Sequence, residues 1–316
     1  MTAPRIGTCG WSYPSGAGSW NGIFYPATGA RAEGRRGRFD ELAYYAEHFD
    51  TVEVNSTFYR LPSPVASRSW VRRTPPDFSF SVKLFQKFTH PAMFARAVGA
   101  PRHPNLGDVD AFKAAIDPLV SGGKLGALLA QFPASFTCGD RSRAHLSWLL
   151  GAFAGYPTAV ELRHRTWSDD RVGTQALLES LGAAWVHIDE PKFDSSIRQT
   201  GEPSTGGLHY VRLHGRNAKA WWSHDRAEDR YDYLYDGAEL APIGRSVTSA
   251  SRRVGRAYLY FNNHFAAKAV VNAVQLTHLL HLPVRGIYAD AFVARYPEIE
   301  GLVVTASPRL PLRSYS

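Results

Sequence analysis

Only two cysteines, Cys9 and Cys138, occur in the 316 residues. That is too few for a disulfide framework, and neither stands in a CxxC or Cys/His spacing that would build a structural zinc site. Long apolar runs are missing as well: none approaches the ~20 residues that a bilayer-spanning helix requires, so no membrane partner is expected. The N-terminus, Met1-Thr-Ala-Pro-Arg-Ile-Gly7, lacks the apolar core of a signal peptide, which predicts a cytoplasmic protein. No GxSxG elbow is found, and Cys9 has no recognisable His partner, so nothing supports a nucleophilic serine or cysteine mechanism. Walker A and GxGxxG patterns are also absent, and a nucleotide cofactor is not indicated.

What is present is material for a large core. Hydrophobic residues make up 44% and aromatic residues 13% of the chain, which argues against intrinsic disorder. The net charge of +8 favours anionic partners, either a phosphorylated small molecule or nucleic acid. A general solubility charge is the plainer reading. Part of that charge lies in a basic, Gly-rich segment at about 29–38, read as a flexible, solvated insertion.

The stretch Thr51-Val-Glu-Val-Asn-Ser-Thr-Phe-Tyr-Arg-Leu-Pro62 sets the pattern for the rest. Val52 and Val54 alternate with Glu53 and Asn55, the period-two signature of a strand with two faces. Burying an acid and an amide there is expensive unless both are paired. The same arrangement recurs. Strands are expected at 5–10, 78–84, 124–133, 158–164, 184–189, 208–215 and 256–263. Helices are expected at 39–49, 63–73, 108–120 (with Asp108 as N-cap), 141–153, 169–181 and 266–280. On strand 78–84 the inward set would be Ser79, Ser81 and Lys83. Eight strands, most followed by a helical run, predict an α/β fold of the (β/α)8 TIM-barrel type. With no linker or shift in composition, residues 1–316 read as a single domain.

Several motifs carry a family resemblance: Ile6-Gly-Thr-Cys-Gly-Trp-Ser, the Thr51–Pro62 stretch, Val82-Lys, Leu129-Ala-Gln-Phe-Pro, Val160-Glu-Leu-Arg-His, Val211-Arg-Leu-His-Gly-Arg and Phe261-Asn-Asn-His. In this order, from about residue 5 to about 300, they resemble the YecE-like family, catalogued as domain of unknown function number 72. That resemblance implies a variant TIM barrel; it implies no activity. The basic insertion departs from the family pattern.

In a TIM barrel the site is built at the C-terminal strand ends. There the sequence collects Glu53, Asn55, Lys83, Gln131, Glu161, Arg163, His164, His187, Asp189, Arg212, His214, Arg216, Asn262 and Asn263, with Trp11 nearby. For any one of them, a buried pair holding the scaffold is the competing reading. Three arrangements are open. In the first, Lys83, Arg163, Arg212 and Arg216 gather a phosphate or carboxylate. Glu53, Glu161 or Asp189 then serves as acid or base. In the second, Glu161, His187, Asp189 and His214 ligate a divalent metal, although the adjacent arginines would repel it. In the third, Trp11, Trp20, Trp221 and Trp222 form stacking platforms for bases or sugars, as in a nucleic-acid-binding protein. The first is preferred: a barrel enzyme with an anionic, phosphate-bearing substrate, hydrolytic or acid–base chemistry and no cofactor.

Overall fold

A computed structural model describes residues 3–27, 39–99, 103–199, 207–223, 225, 226 and 228–306. The basic segment at 29–38 lies outside them. Along the chain come β1 (Arg5–Thr8), α1 (Glu41–His48), β2 (Thr51–Val54), α2 (Pro64–Arg72), β3 (Ser79–Lys83), α3 (Gln86–Thr89) and α4 (Pro91–Val98). There follow α5 (Leu106–Ser121), β4 (Leu125–Gln131), α6 (Asp140–Ala152), β5 (Thr158–Glu161), α7 (Arg165–Asp169) and α8 (Arg171–Ser180). Next are β6 (Ala183–Trp185), β7 (His187–Asp189), β8 (Leu208–Leu213), α9 (Ala218–Trp222), α10 (Gly237–Ser251), β9 (Arg256–Phe261) and α11 (Lys268–Leu279). The last elements are β10 (Ile287–Tyr288), α12 (Asp290–Arg295) and β11 (Val304–Thr305).

The result is a mixed α/β fold with parallel sheets. One has five strands in the order β2-β3-β4-β5-β6, another four in the order β1-β9-β8-β7, and β10 pairs with β11. The two large sheets touch through an isolated parallel bridge between Cys9 and Glu53. At their other margins the chain itself passes between them. The single strand expected at 184–189 is two strands, because Val186 N–H bonds Val160 O at 2.9 Å and the next residues turn to pair with β8. Gly7 is required where β1 and β2 approach, since a Cβ there would lie 2.3 Å from Thr51 O.

Local chemistry explains the helix boundaries. The Asp40 side chain caps α1 by accepting from Ala43 N–H, and Leu42, Tyr45 and Ala46 form its buried stripe. In α5 the N-cap is Asn105, not Asp108. Asp108 sits three residues on and closes a capping box by accepting from Asn105 N–H. The helix expected at 169–181 is α8, which starts at Arg171 because Asp170 caps it by accepting from Gly173 N–H; the short α7 before it, Arg165–Asp169, was not expected.

Between the sheets the facing side chains are largely polar. Ser79 and Ser81 of β3 meet the hydroxyls of Tyr258 and Tyr260 from β9 at 3.0 and 2.9 Å. Tyr260 also bonds Thr51 of β2 at 2.6 Å. Satisfied groups of this kind make a polar interior tolerable, and they form successive layers leading to the carboxyl ends of the strands.

Candidate functional site

At those ends Arg212 of β8 is buried with both of its acidic partners. Its Nε and Nη2 donate to Glu53 Oε2 and Oε1 at 3.0 and 2.8 Å, a bidentate fork, and its Nη1 donates to Glu161 Oε2 at 2.5 Å. Tyr210 O–H adds a 2.7 Å bond to Glu53 Oε2. Glu161 Oε1 accepts from Arg163 Nε at 2.7 Å, and Arg163 Nη1 stands 3.6 Å from Glu190 Oε2. His214 lies 3.3 Å from Arg163 Nη2 and 2.9 Å from the Asn262 amide nitrogen. Three buried carboxylates, Glu53, Glu161 and Glu190, thus face two guanidinium groups inside the protein, an arrangement that holds only while every partner is present.

The titration behaviour follows from that packing. Burial by itself would raise the Glu161 carboxyl, but Arg212, Arg163 and His214 together hold it well below the usual carboxylate range. Burial and the adjacent Arg163 and Arg212 push His214 down to about 3, so the imidazole is neutral. Cys9 lies 3.7 Å from Arg212 Nη2, yet burial and Glu53 raise its thiol well above the ordinary value. It is no nucleophile in this state.

Above this cluster opens a cleft of ≈ 670 Å³ lined by Asn55, Lys83, Gln131, Arg163, Arg212 and Asn262 from the strand ends. The opposite wall comes from loops: Tyr13, Tyr59, Arg226, Glu228, Tyr231 and His264. None of these six stands among the strand-end candidates, because they reach the cleft from the segments between elements. Two of them carried a signal, Tyr59 in the Thr51–Pro62 stretch and His264 in the Phe261-Asn-Asn-His motif. His264 is the more buried. It stacks on Tyr13 with ring centroids 4.4 Å apart, and burial brings it down to about 4. Glu228 turns from the cleft centre to accept from Ala17 N–H at 3.1 Å and Gly18 N–H at 3.4 Å. Another cavity of ≈ 150 Å³, at the opposite end of β1, is lined by Ile6, Val274, Leu282 and Pro283 beside His48 and Asp50. It gathers fewer polar groups, and we assign it to the scaffold.

Lys83 stands apart from the other cations. Among the described residues its Nζ makes no hydrogen bond or ion pair, and it rests 4.2 Å from the centre of the Phe58 ring. Phe58 is held there by the turn after β2, whose Thr57 hydroxyl donates to Lys83 O at 2.6 Å. Burial, and then the positive Arg212, push the Lys83 amine down to about 7.

Other predicted residues lie elsewhere. Asp189 and Arg216 face each other in a half-exposed pair, with bonds of 2.9 and 2.7 Å, and Arg216 also reaches Glu239. They do not line the cleft, because Tyr235 and Glu239 draw them to the flank. His164 is the N-cap of α7, its Nδ1 accepting from Thr166 N–H. Asn263 is buried against Tyr233 O and Asn272. Trp11 packs edge-on against Trp70, Trp20 and Trp221 are core, and Trp222 alone of the four is largely exposed. The four tryptophans do not assemble a stacking surface. Among the described residues, no group of three or more His, Cys, Asp or Glu side chains is arranged to hold a metal ion. No described helix is long and apolar enough to cross a membrane.

Comparison with known proteins agrees with this architecture. The model of the family described as "Protein of unknown function DUF72" matches residues 5–295. Protein YunF of Bacillus subtilis is 28% identical over 293 residues, covering 89% of this chain and 96% of the relative. Protein YecE of Escherichia coli K12 is 34% identical over 125 residues, 39% of this chain and 41% of the relative. A DUF72 protein from Thermotoga maritima superposes with a TM-score of 0.73 at 33% identity, covering 89% and 100% of the two chains. One from Enterococcus faecalis reaches 0.75 at 24% identity, with 89% and 96% covered, a likeness of fold alone. With the family pattern running through nearly all of its length, from β1 to α12, the chain belongs to the DUF72 family.

Proposed function

We propose that the strand-end cleft is an active site for an anionic small molecule bearing a phosphate or carboxylate. The observation that carries the reading is the cleft's lining. Arg163, Lys83 and Arg226 face it together with the amides of Asn55, Gln131 and Asn262, while the one lining carboxylate among the described residues, Glu228, is occupied by backbone N–H groups. The reading rests on the N–H donors and not on net charge, because Arg163 is paired with Glu161 and Arg226 with Asp229 at 3.3 Å. Convergent donors without a free acid suit an anion. Among the described residues Asn55 Oδ1 is buried without a partner and calls for a donor, such as a substrate hydroxyl.

In this reading Arg163 presents its outer N–H groups to the anion. Glu161, ionised, fixes Arg163 and Arg212, and Glu53 supplies the second counter-charge; both acids act through the guanidinium groups they hold. The architecture we propose is one (β/α)8 barrel in a single cytoplasmic domain. The Cys9–Glu53 bridge and the reach of Arg212 from one sheet to two strands of the other support closure.

The test is binding of inorganic phosphate and of simple phosphorylated metabolites at constant ionic strength, read by calorimetry and thermal unfolding. Saturable stabilisation that is lost in Arg163→Met supports the proposal. Phosphate indistinguishable from chloride would overturn it. Tight, steeply salt-dependent binding of DNA or RNA without small-anion binding would replace it with a nucleic-acid-binding function.

A further inference from the structure

Of the cations at the cleft, Lys83 has the surroundings of a reagent and not of a charge. It is the last residue of β3, so a strand anchors its backbone and the Thr57 hydroxyl ties down its carbonyl. Three other lysines are committed: Lys87 to Asp108 at 2.9 Å, Lys268 to Asp232, and Lys124 to the carbonyls of Val71 and Thr74 at 2.8 Å. Lys113 also lies near ring faces, 5.7 Å from Phe153 and Tyr156, but does not line the cleft. Lys83 has only the face of Phe58. A ring face compensates an ammonium weakly, by ~1 kcal/mol, against the cost of burial. The charged groups around it are Arg212 and Arg163, which disfavour a further cation, and Glu161 and Glu53, whose charges those arginines already meet. His90, near the same ring, is pushed down to about 4 by burial and by Lys83 itself, so it stays neutral and offers Lys83 no counter-charge in either form.

We propose that Lys83 is a nucleophilic amine that forms an imine with a carbonyl-bearing anionic substrate. This deepens the proposed function and rests on it: Arg163 and its neighbours hold the anionic end, and Lys83 meets a ketone or aldehyde carbon. The Nζ lone pair attacks that carbon, forming the C–N bond as the carbonyl π pair moves to oxygen. The oxygen takes up the proton that nitrogen releases, which gives a carbinolamine. Loss of water with a further proton leaves a protonated imine, and hydrolysis later restores amine and carbonyl with no outside oxidant or reductant. The imine withdraws electrons from the neighbouring C–H or C–C bond, which suits the site to isomerisation, dehydration or aldol-type cleavage. An amine brought down to about 7 is available as the free base at neutral pH, the form this step needs.

Two measurements separate the inference from the anion reading beneath it. The first is competitive labelling of the full-length protein with a neutral acylating reagent, N-acetoxysuccinimide, between pH 6 and 10, with peptide mass mapping. Lys83 should acylate at least ~10-fold faster than the exposed lysines at pH 7, with its rate levelling off near pH 7–8. A Lys83 that labels slowly, with the pH profile of an ordinary lysine, overturns the inference even where phosphate binds. The second is reductive trapping with cyanoborohydride and either glyceraldehyde 3-phosphate or unphosphorylated glyceraldehyde. A single adduct at Lys83, missing from a folded Lys83→Met variant and formed faster with the phosphorylated aldehyde, supports both readings. An adduct at Lys83 that forms equally with both aldehydes supports the amine and removes the anion site. Adducts spread over surface lysines, with none at Lys83, overturn the inference.

Discussion

Arg212 and Glu53 meet as a bidentate pair across the two sheets, Nε to Oε2 at 3.0 Å and Nη2 to Oε1 at 2.8 Å, with both side chains almost fully buried. The same guanidinium bonds Glu161 on the far side of the five-stranded sheet, so one residue of β8 fastens β2 and β5. The cleft floor is therefore a pre-formed electrostatic unit whose parts depend on one another.

Removing Arg212 should expose that dependence. Arg212→Ala leaves two buried carboxylates short of their main counter-charge and is expected to cost about 3–5 kcal/mol, read by urea unfolding. The combined Glu53→Gln/Arg212→Ala change should cost less than the sum of the single changes, because the amide needs no cation. A loss under about 1 kcal/mol for Arg212→Ala would mean the pair is solvated in solution.

Stability should fall with acid in two stages. His209 and His214 are brought down to about 3 by burial, each also next to like charges, and His264 is brought down to about 4 by burial. The unfolded chain therefore takes up protons first as pH falls below 6.5, and stability declines from there, by on the order of 1–2 kcal/mol per histidine at pH 5. Glu161 acts in the usual carboxylate sense: its lowered folded value is a stabilisation present above about pH 4.5 and lost below it. Denaturant titrations at pH 7.5, 6, 5 and 4 check this, with Glu161→Gln expected to flatten the lowest limb. Constant stability from pH 7.5 to 5 would contradict the burial of these imidazoles.

Lys83 predicts a gain. Its folded amine is lowered to about 7 from the ordinary 10.5. Below pH 7 the amine is charged in both states and the whole burial penalty is felt; between 7 and 10.5 the penalty is relieved progressively. Lys83→Met should therefore be more stable than the wild type at pH 6, by on the order of 1 kcal/mol, and the advantage should shrink by pH 10. A variant less stable than the wild type at pH 6 would show that Lys83 has a stabilising partner.

Gly7→Ala tests how closely β1 and β2 approach. The added Cβ would meet a backbone carbonyl that cannot rotate away, so a loss of about 1–3 kcal/mol is expected, with a lower Tm. An unchanged Tm would mean the two strands sit farther apart.

Arg216 marks the edge of the site. Its pairs with Asp189 and Glu239 are half-exposed, so Arg216→Ala should cost no more than about 1 kcal/mol and leave phosphate affinity intact. Loss of phosphate binding in this variant would extend the site to that flank.

Local pattern in the sequence determined much. Alternation placed Ser79, Ser81 and Lys83 on one face of a strand, and the family motifs ran in order along the chain. An acidic residue three positions beyond a capping residue marks helix starts at Asn105-x-x-Asp108 and Asp236-x-x-Glu239. At the first, Asp108 stands in the place expected of the cap itself, whereas the cap is Asn105; at the second, Pro242 and Gly244 interrupt the helical pattern and hide α10. Tertiary structure alone decided which charges neutralise which. Glu53, Glu161 and Arg212 are far apart in sequence, and their pairing depends on two sheets being brought face to face. Asp189 and Arg216 looked equivalent to them at strand ends, but Tyr235 and Glu239 from distant segments drew them aside. The character of Lys83 was equally out of reach, since an amine's basicity is set by burial and by neighbouring charge, quantities that exist only once the chain has closed around it.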